Sequence, residues 1–341
     1  MPCTKQRVRL VLLVFVLLPS CLGTSTPTKE EMVPSTLTVT PTQAISHQTV
    51  FNMDRSALSY EVFETEATSL TIVVSATIPD QFKEFADISV EDGSGLTTYE
   101  VEPGESRIVH SMPEGEKHVT VTAGLQTKFR TRIVGVYIDK ITFDKPAVQI
   151  EKGDNRIVIY GDSLTVGGNV DHLSAEAWPV LLRKHYPVLI EAYGYRALYE
   201  DASTAEARSA LALKISSWLP RYVWLAIGTN DYAFGLWPAS EFGEAYDATL
   251  DAIHESSPQS TLFAQSPILQ ADEPPNIFGD TLENYRQQIA SACLARSAWC
   301  TFVDGTEAVF PQPAELDQDG IHLTIDSSAK YAEAVRNTIG K

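Results

Sequence analysis

The sequence is poor in basic residues, in cysteine and in long apolar runs. It has 26 Lys and Arg against 44 Asp and Glu, a formal net charge of −18. Such an acidic surface repels phosphate backbones and anionic lipid headgroups, and no basic patch offsets it, so no nucleic-acid partner is expected. Hydrophobic residues make up 44% and charged residues 21%, a globular composition that allows about two domains and excludes a multispan membrane protein. A neutral substrate fits this charge best.

A short apolar run lies at the N-terminus. Basic residues precede apolar residues 10–18, and no acidic residue comes before Glu30. The pattern predicts a secretory signal or lipoprotein signal within residues 1–23, because the run is too short to span a membrane as a mature helix. Residues 24–49 are rich in Thr, Ser and Pro and are predicted to form a flexible tether. The protein is therefore expected to be secreted or otherwise extracytoplasmic.

Cysteine is scarce, with 4 residues in the chain. Residues 18–21 (LPSC) resemble the lipobox of bacterial lipoproteins, so Cys21 is either acylated, which would attach the protein to a membrane, or lost to ordinary signal cleavage nearby. Cys293 and Cys300 are expected to form a local disulfide or to remain two buried thiols. No Cys or His spacing suggests a metal site, and no cofactor is expected.

The spacing of hydrophobic residues differs between the two halves of the chain. Residues 50–150 contain short alternating runs rich in β-branched residues and divided by turn signals, which predicts an all-β, jelly-roll-like sandwich. In residues 155–341 apolar strands alternate with helical stretches, which predicts an α/β fold, a doubly wound, flavodoxin-like sandwich around a parallel sheet. The predicted strands are 69–75, 87–90, 118–122 and 132–143 in the first half, and 156–160, 188–193, 222–227, 261–265 and 300–303 in the second. The predicted helices are 175–185, 204–217, 240–256, 280–295 and 327–339.

Glycines and polar residues follow the strands of the predicted parallel sheet. Gly161-Asp162-Ser163-Leu164 comes after the first strand, Gly194 after the second, Gly228-Thr229-Asn230-Asp231 after the third, and Asp319-Gly320-Ile321-His322 before the last helix. The carboxyl ends of parallel strands meet at one edge of a sheet, so a site is expected there.

The residue types in these segments are those of nucleophilic catalysis. A serine hydroxyl needs an adjacent base, the base needs an orienting carboxylate, and the oxyanion formed on attack needs donors. Ser163 is the candidate nucleophile in a strand-to-helix turn, and His322 is the candidate base. Asp319, three residues before His322, is the candidate carboxylate, although a turn or capping role is the alternative. The G-x-S-x-G elbow of α/β-hydrolases is absent, because position 165 is Thr.

The four segments, in this order, resemble those of the GDSL or SGNH hydrolase superfamily, whose name lists its Ser, Gly, Asn and His. The resemblance covers residues 155–340 and implies an esterase. It also implies an oxyanion hole made by the backbone N–H groups of Ser163 and Gly194 and the side-chain amide of Asn230. Without the resemblance, Gly194 is read as a simple strand-exit turn and Asn230 as a turn residue.

Three aromatic residues, Tyr232, Phe234 and Trp237, follow Asn230 closely and are predicted to form an apolar or sugar-stacking wall for the substrate; core packing is the alternative. A β-sandwich before a GDSL domain in an exported protein resembles carbohydrate esterase family two, which removes acetyl groups from plant polysaccharides such as xylan. A spacer or a carbohydrate-binding module would have the same layout.

The resemblance implies a serine esterase that deacetylates polysaccharide or oligosaccharide through an acyl-enzyme, and the predicted signal adds that this esterase is exported. One alternative is a lipase-like, lysophospholipase-like or general short-chain esterase. The other is an inactive surface protein that binds carbohydrate.

Overall fold

The computed structural model describes residues 50–51, 58–79, 86–124, 126–129 and 132–340, which belong to one compact unit. The predicted signal at 1–23, the tether at 24–49 and the acylation of Cys21 lie outside these residues.

The first part of the described chain forms two antiparallel sheets. One sheet has the strand order β1-β9-β3-β6, with β8 paired to β9, and the other has the order β10-β2-β7-β4-β5. In chain order the strands are β1 Val50–Phe51, β2 Tyr60–Thr65, β3 Ser69–Thr77, β4 Asp87–Asp92, β5 Gly95–Glu100, β6 Gly104–Ser111, β7 Lys117–Ala123, β8 Gln126–Phe129, β9 Arg132–Phe143 and β10 Ala147–Gln149.

The two sheets bury their apolar faces against each other. Along β3, Leu70, Ile72 and Val74 are buried while the residues between them are half-buried, because successive side chains of a strand point to opposite faces. Phe63 on β2 and Phe143 on β9 belong to different sheets, and their ring centroids lie 5.1 Å apart. The predicted β-sandwich is confirmed.

The second part is built on a parallel sheet with the strand order β12-β11-β13-β14-β15. These strands are β11 Ile157–Gly161, β12 Val188–Ala192, β13 Tyr222–Ala226, β14 Thr261–Gln265 and β15 Cys300–Val303. All residues of β11 are buried, as expected for a strand that is covered on both faces. The predicted doubly wound α/β fold is confirmed, and each of its strands lies within two residues of its predicted bounds.

Helices cover both faces of this sheet. They are α1 Ser163–Val166, α2 Leu173–Glu176, α3 Trp178–Leu181, α4 Leu198–Ala202, α5 Ala205–Ser217, α6 Thr229–Ala233, α7 Ala239–Ser256, α8 Leu282–Leu294 and α9 Ile325–Ile339. The chain moves from β11 to one neighbour, β12, and then crosses to the other neighbour, β13. Ser163, just after β11, therefore lies at the point where the strand order reverses, which is where such sheets bind ligands.

The prediction of a single helix at 175–185 is wrong. The chain there forms α2, α3 and a short 3-10 turn at Leu182–Lys184. Ala177, between α2 and α3, has extended backbone angles, and Pro179 lies in the first turn of α3. Proline has no N–H to donate to the carbonyl four residues earlier, and its ring crowds that carbonyl, so α2 cannot continue through Pro179 and a new helix starts just before it.

The sandwich packs directly against the α/β part. Ser89 on β4 donates a hydrogen bond of 2.8 Å to the carbonyl of Ser174 on α2, and the Ser174 N–H donates to Asp87 Oδ1 at 3.1 Å. One cluster of buried apolar residues extends through both parts and includes Ile88 and Trp178. The strand β4 therefore contacts the segment that follows the candidate nucleophile.

Two further features concern the cysteines and the helices. Cys293 and Cys300 form a disulfide that links the end of α8 to the start of β15, so the disulfide alternative is the one the structure adopts. Among the described residues, no helix combines the length and the apolar character that a bilayer crossing requires.

Candidate active site

Ser163 occupies the turn between β11 and α1. Asp162 caps this helix, because its Oδ1 accepts a hydrogen bond of 3.0 Å from the N–H of Leu164. Gly161 ends the strand where space is short, since a Cβ there would lie 2.0 Å from Thr165 Oγ1. The tight turn places the Ser163 hydroxyl at the carboxyl edge of the sheet.

Ser163, His322 and Asp319 form a hydrogen-bonded chain. The Ser163 hydroxyl lies 2.9 Å from His322 Nε2, and His322 Nδ1 lies 2.6 Å from Asp319 Oδ2. Asp319 Oδ1 also accepts the backbone N–H groups of Ile321 and His322, each at 2.9 Å. The geometry allows the carboxylate to bind Nδ1–H, which leaves Nε2 to accept a proton from the hydroxyl. The structure thus brings together the three residues that the sequence predicts as nucleophile, base and orienting carboxylate.

The local charges favour ionised Asp319. Burial alone would raise the pKa of Asp319, but the hydrogen bonds and charge of His322 outweigh it and hold this pKa well below its ordinary value. The neighbouring carboxyl differs, since burial raises the pKa of Asp162 to about 7. Asp162 Oδ2 is buried without a hydrogen-bond partner among the described residues, which agrees with a carboxyl that takes up a proton easily.

Gly194 and Asn230 reach the same edge through the register of the sheet. Gly161 pairs with Ala192 on β12 and with Ala226 on β13. Gly194 follows Ala192 by two residues, and Asn230 lies in the first turn of α6, shortly after β13. Both candidate oxyanion donors thus follow the two strands that flank the strand leading to Ser163.

The Asn230 amide is held by a residue that the sequence motifs do not include. Its Nδ2 donates a hydrogen bond of 2.8 Å to the backbone carbonyl of Arg196, and Asn230 itself is buried. An amide nitrogen carries two hydrogens, so the second remains for a substrate oxygen. The next residue, Asp231, is fully buried and accepts the N–H groups of Leu198 and Tyr199 at 2.9 Å each. Burial raises the pKa of Asp231 to about 6.

Asn169 is a second residue that the sequence analysis missed. Its Nδ2 donates to Asp317 Oδ2 at 2.8 Å and to Asp319 Oδ2 at 2.9 Å, so one amide bridges two carboxylates. Asn169 has a φ of 74°, in the left-handed region that Asn tolerates better than most residues. The sequence signal was an Asn between Gly-Gly and an apolar residue just after the nucleophile, which is too common to indicate a role by itself.

The three aromatic residues predicted to form a wall differ in exposure. Phe234 is 51% exposed, whereas Tyr232 is 5% exposed and donates its hydroxyl to the carbonyl of Pro274 at 2.5 Å. Trp237 is half-buried and packs edge-on against Tyr199 at 4.8 Å. Tyr195, which follows Gly194, is also 51% exposed, and its ring lies 6.4 Å from that of Phe234. The exposed pair is therefore Tyr195 and Phe234, and Tyr232 belongs to the core.

No group of three or more His, Cys, Asp or Glu is arranged to hold a metal ion within the part of the chain that the structure describes.

A parallel α/β sandwich that carries a hydrogen-bonded serine, histidine and aspartate at the carboxyl edge of its sheet has an arrangement that suits a hydrolase with a serine nucleophile. Residues 159–326 match the model of the GDSL-like lipase/acylhydrolase family and form a domain of that family. The protein is a carboxylic ester hydrolase. By sequence, no curated protein matches the chain.

Solved structures share the two-part architecture over most of the chain. A salicylyl-acyltransferase from a tetracycline biosynthetic pathway has a TM-score of 0.64 and 15% identity, covering 83% of this chain and 82% of that one. A family two carbohydrate esterase from Clostridium thermocellum, solved with cellohexaose, has a TM-score of 0.62 and 16% identity, covering 86% and 99%. An acetyl xylan esterase from the rumen bacterium Butyrivibrio proteoclasticus has a TM-score of 0.60 and 13% identity, covering 86% and 96%. At these identities the likeness is one of fold.

Proposed function

We propose that the protein is a carbohydrate O-acetyl esterase that acts through an acyl-enzyme on Ser163. The observation that carries the mechanism is the chain from Ser163 Oγ to His322 Nε2 at 2.9 Å and from His322 Nδ1 to Asp319 at 2.6 Å. These distances are those of a nucleophile, a base and an orienting carboxylate in hydrogen-bond contact.

In the first half-reaction Ser163 Oγ attacks the acyl carbon of the ester, and its proton passes to His322 Nε2. The carbonyl oxygen becomes an oxyanion that accepts hydrogen bonds from Asn230 Nδ2 and from the N–H groups of Ser163 and Gly194. Donors fixed before the reaction stabilise this charge without reorganisation. The C–O bond to the alcohol then breaks, and the leaving oxygen takes the proton from His322.

In the second half-reaction water takes the place of the alcohol. His322 removes a proton from the water as its oxygen attacks the acyl-serine, and then returns that proton to Ser163 Oγ when the acid leaves. Asp319 remains ionised throughout and stabilises the imidazolium formed in each half. Side chains, two backbone N–H groups and water have a role in these steps.

Two observations support a carbohydrate as the alcohol. Tyr195 and Phe234 each follow an oxyanion residue closely and present half-exposed rings, a surface on which the apolar face of a sugar can pack. The acidic chain, with a net charge of −18, suits a neutral substrate. The shared layout with a family two carbohydrate esterase and an acetyl xylan esterase points in the same direction.

The test measures the purified protein on 4-nitrophenyl esters from acetate to palmitate, with acetylated xylan assayed alongside for released acetate. Activity that falls steeply beyond acetate, together with acetate release from xylan, is the expected result. Preference for long chains with xylan untouched would replace the proposal with a lipolytic enzyme. Acyl transfer to an added alcohol in preference to water would replace it with a transferase like the structural neighbour of that name. Binding of xylan without any turnover would indicate an inactive carbohydrate-binding protein.

We further propose that the protein is exported and that residues 1–23 direct the export. The disulfide between Cys293 and Cys300 supports an oxidising compartment. Expression of the full chain in a bacterial host that processes lipoproteins tests this proposal, with Cys21→Ser as the comparison. Mass spectrometry of the mature N-terminus is expected to find either acylated Cys21 or a cleavage site nearby. An intact N-terminus in the cytoplasmic fraction would contradict export.

A further inference from the structure

Arg196 is the most deeply buried cation near the candidate active site, with 2% of its surface exposed. Its Nη1 donates to the carbonyl of Glu191 at 2.7 Å and pairs with Glu191 Oε1 at 2.9 Å, and its Nε donates to Asp201 Oδ2 at 2.7 Å. The rings of Tyr160 and Tyr193 lie 4.4 and 4.6 Å from the guanidinium carbon. A buried cation is costly unless it is paired and hydrogen-bonded, and these contacts meet that condition.

The network around the guanidinium extends to fixed elements of the fold. Asp201 on α4 also accepts the Tyr160 hydroxyl from β11 at 3.0 Å, and Glu191 on β12 also pairs with Lys214 on α5 at 2.5 Å. The Arg196 side chain thus joins two strands and two helices. It has little freedom to move unless several elements move with it.

The backbone of Arg196 closes the turn that contains Gly194 and contacts the amide of Asn230. Its N–H donates to the Tyr193 carbonyl at 3.3 Å, which closes a turn that contains Gly194. Its carbonyl accepts the hydrogen bond of 2.8 Å from Asn230 Nδ2. Tyr195, inside the turn, has a φ of 68°, a conformation that stores strain and needs support from its surroundings.

The carbonyl contact also fixes which end of the Asn230 amide faces the substrate. A carbonyl oxygen accepts hydrogen bonds only, so it can bind the NH2 group of the amide and disfavours the flipped amide, whose oxygen would face it. The second amide hydrogen is thereby held in place before the substrate arrives. Such preorganisation is what makes an oxyanion donor effective.

We propose that Arg196 is a positioning residue for the oxyanion hole: its anchored side chain holds the Gly194 turn, and its carbonyl orients the Asn230 amide. The inference rests on the proposed esterase function. It extends that function from the residues that touch the substrate to the charged cluster behind them.

The test is a double-mutant cycle between Arg196→Lys and Asn230→Ala, measured on 4-nitrophenyl acetate. Lysine keeps the charge but lacks the fork of donors that binds Glu191 and Asp201 together. Asn230→Ala is expected to lower kcat by about 10²- to 10³-fold. Arg196→Lys is expected to lower kcat by roughly 10-fold or more with KM changed by less than about twofold, since small misplacements act on the transition state.

If Arg196 acts through the donors, the double variant loses less than the product of the two single losses, because Asn230→Ala has already removed the donor that the Arg196 carbonyl orients and leaves only the effect on the Gly194 turn. Losses that multiply, or an Arg196→Lys enzyme with unchanged kcat, would overturn the inference. Arg296→Lys is the matched control, because Arg296 also pairs with two carboxylates, Asp247 and Asp251, on α7. It is expected to keep the parent kcat.

Circular dichroism and thermal unfolding check that each variant is folded. If Arg196→Lys does not fold, Glu191→Gln replaces it in the cycle, and the same criterion applies. Glu191→Gln removes the carboxylate charge that pairs with the Arg196 guanidinium but keeps the shape of the side chain. An inactive parent protein would count against the proposed function, whereas an active parent with multiplying losses would count against the role of Arg196 alone.

Discussion

At the scale of single residues, the carboxylate of Asp319 accepts hydrogen bonds from backbone and side-chain donors. It accepts the N–H groups of Ile321 and His322, the His322 ring and the Asn169 amide. Asn169 also binds Asp317, so its amide separates two like charges that lie close together. The side chain of Asn169 therefore holds Asp319 in the orientation that His322 requires.

Asn169→Gly tests this role without disturbing the backbone, because glycine accepts the φ of 74° at no steric cost. The variant loses the charge-assisted hydrogen bonds to Asp317 and Asp319, of which the second bears on the candidate base, so kcat on 4-nitrophenyl acetate is expected to fall roughly 5- to 10-fold. Asn169→Ala loses the same bonds and also strains the left-handed backbone, so it is expected to have a lower melting temperature than Asn169→Gly. An Asn169→Gly enzyme with full kcat would show that the amide has no such role.

The sequence allowed Ser163, Asp319 and His322 to be predicted because each belongs to a short motif with near neighbours in the chain. Asn169 and Arg196 were missed for a physical reason. Asn169 binds a carboxylate 150 residues away, and Arg196 acts through its backbone carbonyl on an amide 34 residues away. Contacts between residues that are far apart in the chain produce no short motif from which they could be predicted. Tyr232 and Phe234 were not distinguished, because burial at the end of a five-residue helix depends on the loop that covers it.

At the scale of elements, the turn after α1 packs against the candidate base, His322. A Cβ on Gly168 would lie 2.7 Å from His322 Cδ2 and 3.1 Å from His322 Nε2. The Gly168 N–H also donates to the Ser163 carbonyl at 2.8 Å. The short helix α1 and the turn that ends it therefore define the space that the imidazole occupies.

Gly168→Ala is expected to displace the His322 ring from Ser163 and to lower kcat roughly 10- to 100-fold. The displacement costs little folding stability, because His322 is partly exposed and can move towards solvent. Steady-state kinetics and thermal unfolding measure the two effects. Gly153→Ala is the control, since a Cβ there meets nothing within 4 Å. Equal kinetics for both variants would mean that the turn does not constrain the histidine.

The pattern of hydrophobic residues predicted the strands of the parallel sheet well, because buried strands are continuous apolar runs. Helices were predicted less well than strands, because some helix boundaries depend on contacts with distant residues. Pro179 breaks the segment that was predicted as one helix, and the short helix α4 was not predicted. The N-terminus of α4 depends on Asp231, which accepts the N–H groups of Leu198 and Tyr199 from more than thirty residues away. The residues around α4 therefore do not predict where this helix begins.

At the scale of the whole molecule, the sandwich supports the segment that leads from the candidate nucleophile, Ser163, to α2. Asp87 on β4 is 2% exposed and accepts the Ser174 N–H, and His172 Nδ1 lies 3.6 Å from its Oδ2. Burial raises the pKa of Asp87 to about 7, against the hydrogen bonds from Ser174. The junction between the two parts thus contains a carboxyl group that titrates near neutral pH.

This carboxyl makes stability depend on pH. Asp87 has a pKa near the ordinary value of 3.8 when the chain is unfolded, whereas burial raises this pKa to about 7 when the chain is folded. Between these values the folded state binds more protons, so the free energy of unfolding falls as pH rises from about 4 to about 7. Asp162, with a pKa of about 7, and Asp231, at about 6, add to the same fall.

Asp87→Asn removes one of these groups and keeps an oxygen to accept the Ser174 N–H. The fall in unfolding free energy across this pH window is expected to become smaller, as measured by urea unfolding at several pH values. Glu102→Gln changes an exposed residue of the same sandwich and is expected to leave the pH dependence of the unfolding free energy unchanged. Identical pH dependence in Asp87→Asn and the parent would contradict a titrating junction.

The central claim is that Ser163 is the nucleophile of an acetyl esterase, and one measurement tests it most directly. The initial rate of acetate release from acetylated xylan is compared for the parent protein, Ser163→Ala and Ser209→Ala, an exposed serine on α5. The account predicts that Ser163→Ala loses roughly 10⁴- to 10⁶-fold in kcat while it remains folded, and that Ser209→Ala keeps the parent rate. Acetate release by folded Ser163→Ala at a rate close to the parent would contradict the account.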